Sequence, residues 1–545
     1  MKRTLTLLLA VAMLVSLLAA CGGTTTPTAT VAPTKAPTNA PATAAPTAIP
    51  AEEIEDAIPT LPLDEAVHLT ALVQRTDQLT TEYNDLIYWE RIQDATNIFV
   101  NFDAYSAGEA VETAKSLMHA SRAYPDFIMG STSKNEEEKY GPAEKVFVPL
   151  NDYITPEVMP NFYNCLISDD SFMKQITATD GYIYGTARVW DLGYDTAGHI
   201  FIQKNYLDET GLPVPTTLAE FEEVLRAFKG LNKGIIPFEL RYMDDTSGLP
   251  NLTGLWGQED TANGLVLKGE EVIFSKITPE FRQMIEWVSR LYNEGLIDQE
   301  SFAQDAAAYN AKINAGNVGA LIGWRLVSYS YSYEGMENDY ICVPPLVAVD
   351  GVKPVWRAET PGLITGHIVC TTANKNLLET MLWVDYQMDP FIGMQSRNGN
   401  IGVSQELDDN GKFYSTWNAD DPATHDTYPG TNGVFFLTND LIQKFYNYTP
   451  MLLDKYPYVD MYRPFHNEKS AILIDMGRLE AADVDTRARL KADIDRYVES
   501  TVIDMITGGV TDAKWDAFVN TLKNNLHLDE YIAIAQKAYD VFTAG

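Results

Sequence analysis

Trp190-Asp191, Trp324-Arg325 and Trp356-Arg357 each set a tryptophan directly before a charged residue, after an apolar or Gly-rich stretch. Trp256 follows a similar stretch, and Tyr329, Tyr331 and Tyr333 come soon after the second pair. An indole or phenol face can stack on the C–H face of a sugar ring while Asp, Asn, Arg or Glu side chains hold its hydroxyls. The competing role is core packing, which large aromatics dominate. A tryptophan joined to a charge favours an edge over a core. Tyr184, in the turn segment "DGYIYGTARV", joins the group. The candidate ligand contacts are Tyr184, Trp190, Asp191, Trp256, Trp324, Arg325, Trp356 and Arg357.

Signatures of covalent chemistry are missing. There is no GxSxG, HExxH, Walker A or GxGxxG. Two Ser-x-x-Lys matches, Ser131 to Lys134 and Ser171 to Lys174, lack the KTG that accompanies that motif in penicillin-binding proteins. The 7 histidines are scattered singly. Paired carboxylates for glycoside hydrolysis must be close in space, and a chain with 75 acidic residues always offers a pair. "DDNGK" from Asp408 reads as a hairpin turn, since the later glutamate of a calcium loop is absent. No catalytic residue, metal or cofactor is expected.

The formal net charge of −35 argues against a nucleic-acid partner, which needs a basic surface. It equally argues against adhesion to anionic lipid without an anchor. The cysteines are Cys21, Cys165, Cys342 and Cys370. They show no CxxC or His/Cys spacing suited to zinc, and buried thiols are the default reading. Whether any two of the last three pair stays open.

An anchor is nevertheless written at the start. Lys2 and Arg3 precede an apolar run, Leu5 to Ala20, that is slightly short for a membrane span and has no basic stop-transfer cluster after it. Leu18-Ala19-Ala20-Cys21 matches the lipobox of bacterial lipoproteins, which implies cleavage before Cys21 and lipidation of that residue. Residues 1–21 are assigned to this signal. A Thr/Ala/Pro-rich tract then fills 22–61; its prolines and small polar residues cannot build a core, so it serves as an extended spacer.

The elements that must position the aromatics follow. "AVHLTALV" alternates like a strand, Leu86, Trp89 and Ile92 fall at helical spacing, and Ile98, Val100 and Phe102 alternate again. Ala110, Ala114, Leu117 and Met118 line another helix, followed by a short buried strand at 127–129. Strand and helix in alternation predict a parallel sheet covered by helices. Thr217 with Glu220 forms a capping-box pattern ahead of a helix carrying Phe221, Val224, Leu225 and Phe228. "TPEFRQMIEWVSRLYNEGLID" and "NKNLLETMLWVDYQM" are amphipathic helices, "NAGNVGALIGW" turns into a buried strand, and 483–542 is nearly all helix.

Several of these stretches, in this order, resemble the family 1 extracellular solute-binding lipoproteins of ABC importers, the carbohydrate-binding group especially. They are "LMHASRAYPDFIM", "DGYIYGTARV", "NYLDETGLPVPTTLAEFEEVLRAFK", "NAGNVGALIGW", "NKNLLETMLWVDY" and the C-terminal "YVESTVIDMITGGVTDAKWDAFVNTLKNNLHLDEYIAIAQKAYD". The resemblance implies an α/β, two-lobed periplasmic-binding-protein type II fold with a helix-rich second lobe. It implies an N-terminal lobe of 62–193 and 366–415 and a C-terminal lobe of 194–365 and 416–545. Crossovers would lie near 190–196 and 357–367, with the ligand between the lobes. The implied function is a monomeric, lipid-tethered receptor on the outer face of the cytoplasmic membrane. It delivers a sugar or oligosaccharide to ABC permease subunits and does no covalent chemistry. The same scaffold binding a peptide or other polar solute is the first alternative, and a surface glycoside hydrolase the second. One departure stands out: where larger members carry an Asp/Asn/Gly-rich calcium loop, residues 228–237 are short and lack a carboxylate. No calcium is expected there.

Overall fold

A parallel ladder opens the fold. In the computed structural model, Val67–Arg75 pairs with Ile98–Ser106 and with Phe127–Met129, both parallel, and Ile368–Cys370 adds an antiparallel edge. The structure describes residues 58–75, 79, 81–193, 196, 198–324, 339–358, 363–418, 421, 424, 427–447, 456–467, 474 and 477–544. The described residues all belong to one compact unit, Ala48–Gly545. Side chains alternate across a strand, and the centre of this sheet is covered on both faces, while Asn101 and Asp103 of the edge strand are exposed. Leu69, Ala71 and Val73 face a core that includes Trp89, Phe127 and Trp383. Leu72 and Ile128 face a second layer with Val111 and Met118. Two-sided burial explains the near-continuous apolar runs "ALV" and "FIM".

A second sheet follows the same logic. Its strands are Tyr340–Val343, His199–Gln203, Val318–Gly323 and Ile236–Glu239, in that spatial order. Ile200, Ile202, Phe238, Ala320 and Ile322 point into the large second core, and Phe201, Val318, Leu321 and Tyr340 into a smaller one. The Leu218–Gly230 helix packs here, and its capping box is formed: Thr217 Oγ1 accepts from Glu220 N, and the Glu220 carboxylate accepts from Thr217 N at 3.0 Å. The C-terminal helices Ala481–Gly508, Asp512–Asn524 and Leu528–Ala544 complete the core through Ile494, Val498, Val502 and Met505. The "DDNGK" stretch is the expected hairpin, joining Gln405–Leu407 to Phe413–Ser415. The result is two α/β lobes, the second the richer in helix.

A third, three-stranded sheet joins the cores. Arg188–Trp190 pairs antiparallel with Leu363–Ile364 and parallel with Phe436–Leu437. Val189, Leu363 and Phe436 are register partners and all face the first core. Val434 and Phe436, within the stretch assigned to the second lobe from sequence, thus pack in the first core. Trp190 and its partner Leu437 face the other way, onto a small cluster with Phe413, Phe435 and Tyr446.

A buried strut crosses between the lobes near the C-terminus. Arg478 lies 2.5 Å from Glu137 and 3.6 Å from Glu138, and donates to the carbonyls of Gln175 and Ile176 at 2.9 and 3.1 Å. Its neighbour Leu479 is already part of the second core. Burial, only partly offset by Arg478, raises both glutamates above the usual carboxylate range. The three described body cysteines are free thiols. Burial pushes Cys165 and Cys370 up to about 12, which keeps them protonated and unreactive. No helix among the described residues is long and apolar enough to cross a membrane. Cys21 lies outside the described residues.

Candidate ligand-binding site

Ligands of α/β sheets gather at the carboxyl ends of the strands. Beyond the end of Ile236–Glu239 lies a cavity of about 580 Å³, lined by Arg241, Tyr242, Asp244, Asp245, Asn263, Lys276 and Gln304 and closed by Lys491, Asp495 and Glu499 of the long C-terminal helix. That volume is within the range of small-molecule sites. Asp244 organises its floor: Oδ1 accepts from Thr246 N and Oγ1 at 3.0 and 2.8 Å and from Ser247 N and Oγ at 2.8 and 2.7 Å. Burial works against that charge, but these hydrogen bonds and Arg241 at 2.7 Å outweigh it and hold the carboxyl below its usual range. Asp245 takes Arg357 on its carboxylate at 3.0 Å and on its carbonyl at 2.8 Å. Gly248 gives the loop room to fold back, since a Cβ there would lie 2.2 Å from the Tyr242 carbonyl.

The joining sheet carries the other polar cluster. Strand alternation puts Arg188 and Trp190 on the face opposite Val189. The Arg397 guanidinium, at the end of the Pro390–Asn398 helix, lies 4.7 Å over the Trp190 ring. Arg188 lies 5.7 Å over Phe435, which meets Trp190 edge-on at 6.4 Å. Asp191 closes a turn by accepting Gly193 N at 2.7 Å, and its own N–H reaches the Leu437 carbonyl at 3.0 Å. Trp324, at the end of Val318–Gly323, borders the same small aromatic cluster, and its carbonyl meets His199 Nδ1 at 3.1 Å.

Of the expected contacts, Trp190, Asp191, Trp324 and Arg357 are partly exposed polar or aromatic groups at the joining sheet or strand ends. Three others are corrected to packing roles. Trp356 is 1% exposed; its Nε1 donates to the Gly198 carbonyl at 2.9 Å and its ring abuts Tyr462 at 4.8 Å, so no face is left for a sugar. Trp256 lies in the second core against Trp287 at 6.0 Å. Tyr184 is buried in the first lobe and its hydroxyl donates to Asp180 at 2.7 Å, bracing the turn. Arg325, Tyr329, Tyr331 and Tyr333 lie outside the described residues. Sequence reasoning passed over Arg188, Arg397, Asp244 and Asp245. The signal for Arg188 was its place two residues before Trp190 in an otherwise apolar strand. Arg397 carried no local signal. Among the described residues no group of three or more His, Cys, Asp or Glu could hold a metal ion.

Comparison with known proteins gives a consistent picture. No family model matches the chain. It is 24% identical over 507 residues, 89% of this chain and 92% of the relative, to the fructooligosaccharide ABC transporter substrate-binding protein FusA of Streptococcus pneumoniae. It is 25% identical over 268 residues, 46% of this chain and 52% of the relative, to lipoprotein LipO of Bacillus subtilis. The solved structure of FusA in complex with kestose superposes with a TM-score of 0.77 at 23% identity, covering 88% of this chain and 99% of that one. An HMO-binding, ABC-transporter-associated solute-binding protein from Bifidobacterium longum infantis gives 0.76 at 20% identity, covering 88% and 100%.

Proposed function

We propose that this solute-binding protein of the ABC-importer type is a surface receptor that grips an oligosaccharide between its lobes and passes it intact to a permease. The observation that carries the reading is the joining sheet: strands from both halves of the chain meet there, and aromatic and charged side chains flank the strand ends. Trp324 is the candidate stacking residue, while Asp191, Asp245 and Arg357 supply acceptors and donors for hydroxyls. Asp244 fixes the loop that presents Asp245. The kinship with oligosaccharide-binding proteins supports the same class of ligand. Hinge motion about the joining sheet is the natural closing movement for two lobes so connected.

The lipid anchor belongs to the same reading. Acylated Cys21 holds the receptor at the outer face of the membrane, and the tract after it lets the lobes move above it; the last residues of the expected 22–61 spacer, Ile58 and Leu61, instead pack against the first core. Several acyl chains anchor firmly, a single one only marginally. Cys21→Ser should release the protein into the medium, detected by immunoblot of cells against supernatant; retention on the cells would reject acyl anchoring.

The ligand reading is tested by thermal shift and calorimetry over oligosaccharides, peptides and polyols. Stabilisation by a saccharide, with the sugar recovered uncleaved, is expected. Trp324→Ala should weaken that binding about tenfold or more, the scale of a lost stacking contact with its desolvated partner, while the unfolding midpoint stays near the parent's. Binding confined to peptides, or turnover of a glycan, would reject the reading.

A further inference from the structure

Among the described residues Arg188 and Arg397 are cations that lack a counter-charge. The chain holds 75 acidic against 40 basic residues, yet among the described residues no carboxylate pairs with either. Arg188 donates through Nη1 to the Thr431 carbonyl and through Nη2 to Asn432 Oδ1 at 3.4 Å, but its Nε is buried with no partner. Arg397 rests on the Trp190 ring. Burial, and then the charge of Arg397, lower the Arg188 guanidinium to about 10, and burial also lowers Arg397. Beside Arg188, His367 is 1% exposed; burial, then the Arg188 charge, hold its imidazole well below the usual range, against a hydrogen bond with the Gly433 backbone. Partly buried charge of one sign is costly until an opposite charge meets it. Elsewhere this protein pairs its buried cations: Lys276 with Asp260 at 3.3 Å and Arg478 with Glu137. The exception therefore calls for an anion from outside.

We propose that Arg188 and Arg397, carried on Phe435 and Trp190, receive a carboxylate borne by the sugar, so that the ligand is an acidic oligosaccharide containing uronic acid. A guanidinium presents its N–H groups as a planar fork that matches the two oxygens of a carboxylate. Among the described residues no hydrogen bond or ion pair engages the Arg397 guanidinium, and the Trp190 ring lies 4.7 Å beneath it. The neighbouring indole and the strand-end hydroxyl partners would hold the rest of the ring. This inference rests on the receptor reading above and narrows it to one ligand class.

The test is calorimetry on the intact protein with tri-uronates of several linkages and with their carboxyl-reduced, neutral counterparts; a sulfated, uronate-free trisaccharide and neutral fructo-oligosaccharides complete the set. At least one tri-uronate should bind about tenfold or more tighter than its reduced form, the weight of one charge-assisted contact. Arg397→Gln should cut that preference to below about twofold, and Arg397→Lys, which keeps charge but loses the fork, should fall between. Arg397 lies in the last turn of the Pro390–Asn398 helix and is partly exposed, so this variant carries the test if Arg188→Gln fails to fold. Neutral sugars binding as well as or better than uronates would overturn the inference and leave the receptor reading standing. Preference for the sulfated sugar would overturn the carboxylate assignment. Failure of every saccharide would overturn both.

Discussion

Replacing Trp356 by alanine separates a core tryptophan from a ligand-stacking one. The indole is 1% exposed, sits edge-on to Tyr462 at 4.8 Å and donates Nε1 to the Gly198 carbonyl at 2.9 Å. Behind it the backbone is already tight: a Cβ on Gly254 would come within 1.9 Å of the Val355 carbonyl, so the chain cannot settle far into a void. Truncating a buried Trp to Ala costs about 3–5 kcal/mol. The lost hydrogen bond adds about 1 kcal/mol. The sum, about 4–6 kcal/mol, is a large share of the roughly 5–15 kcal/mol that holds a typical domain folded. With a urea slope of about 3 kcal/mol/M, the second lobe's midpoint should fall by about 1.3–2 M. Far-ultraviolet circular dichroism against urea is the assay, run beside calorimetry with a bound saccharide. A midpoint shift below about 0.3 M, equivalent to about 1 kcal/mol, together with a tenfold loss of sugar affinity, would refute the packing argument. It would return Trp356 to the ligand site.

Other perturbations test the surrounding framework. Arg478→Ala should destabilise by about 3–5 kcal/mol, because Glu137 and Glu138 are left buried without their cation; a loss under about 1 kcal/mol in urea unfolding would show the strut to be ornamental. Burial, then the neighbouring Asp298, raise Glu239 from 4.5 to about 8. The unfolded chain ionises above pH 4.5 while the folded one keeps its proton, so this group makes stability decline as pH rises from 4.5 to 8 and level off beyond. Glu239→Gln should flatten that slope in urea midpoints taken across the window; an unchanged slope would deny the buried proton. Thr217→Ala should cost about 1 kcal/mol by opening the capping box, read as a lowered urea midpoint with ligand affinity intact.

Local pattern was enough for much of this architecture. Ile98–Ser106 carries its identity in alternation, because only one of its faces is buried, and Val67–Arg75 and Phe127–Met129 in apolar runs, because the centre of the sheet is buried on both faces. The Leu218–Gly230 helix announces itself through Thr217 and Glu220, since capping joins residues only three apart. The two-lobed α/β fold was implied by the family resemblance that the ordered run of such segments carries. Pairings between distant segments are of another kind. Nothing near Phe436 says that it lies beside Val189, and nothing near Arg397 says that it rests on Trp190. Those contacts depend on where whole helices and sheets come to rest. A tryptophan followed by a charge reads alike at 190 and at 356, yet one lies at the edge of the joining sheet and the other inside the second core. Burial is set by what packs on top, here Tyr462 from more than a hundred residues away, and sequence spacing holds no record of it. Periodicity therefore determined the elements and the resemblance implied the lobes, while only the tertiary arrangement decided which aromatics are buried in a core and which cations have no carboxylate beside them among the described residues.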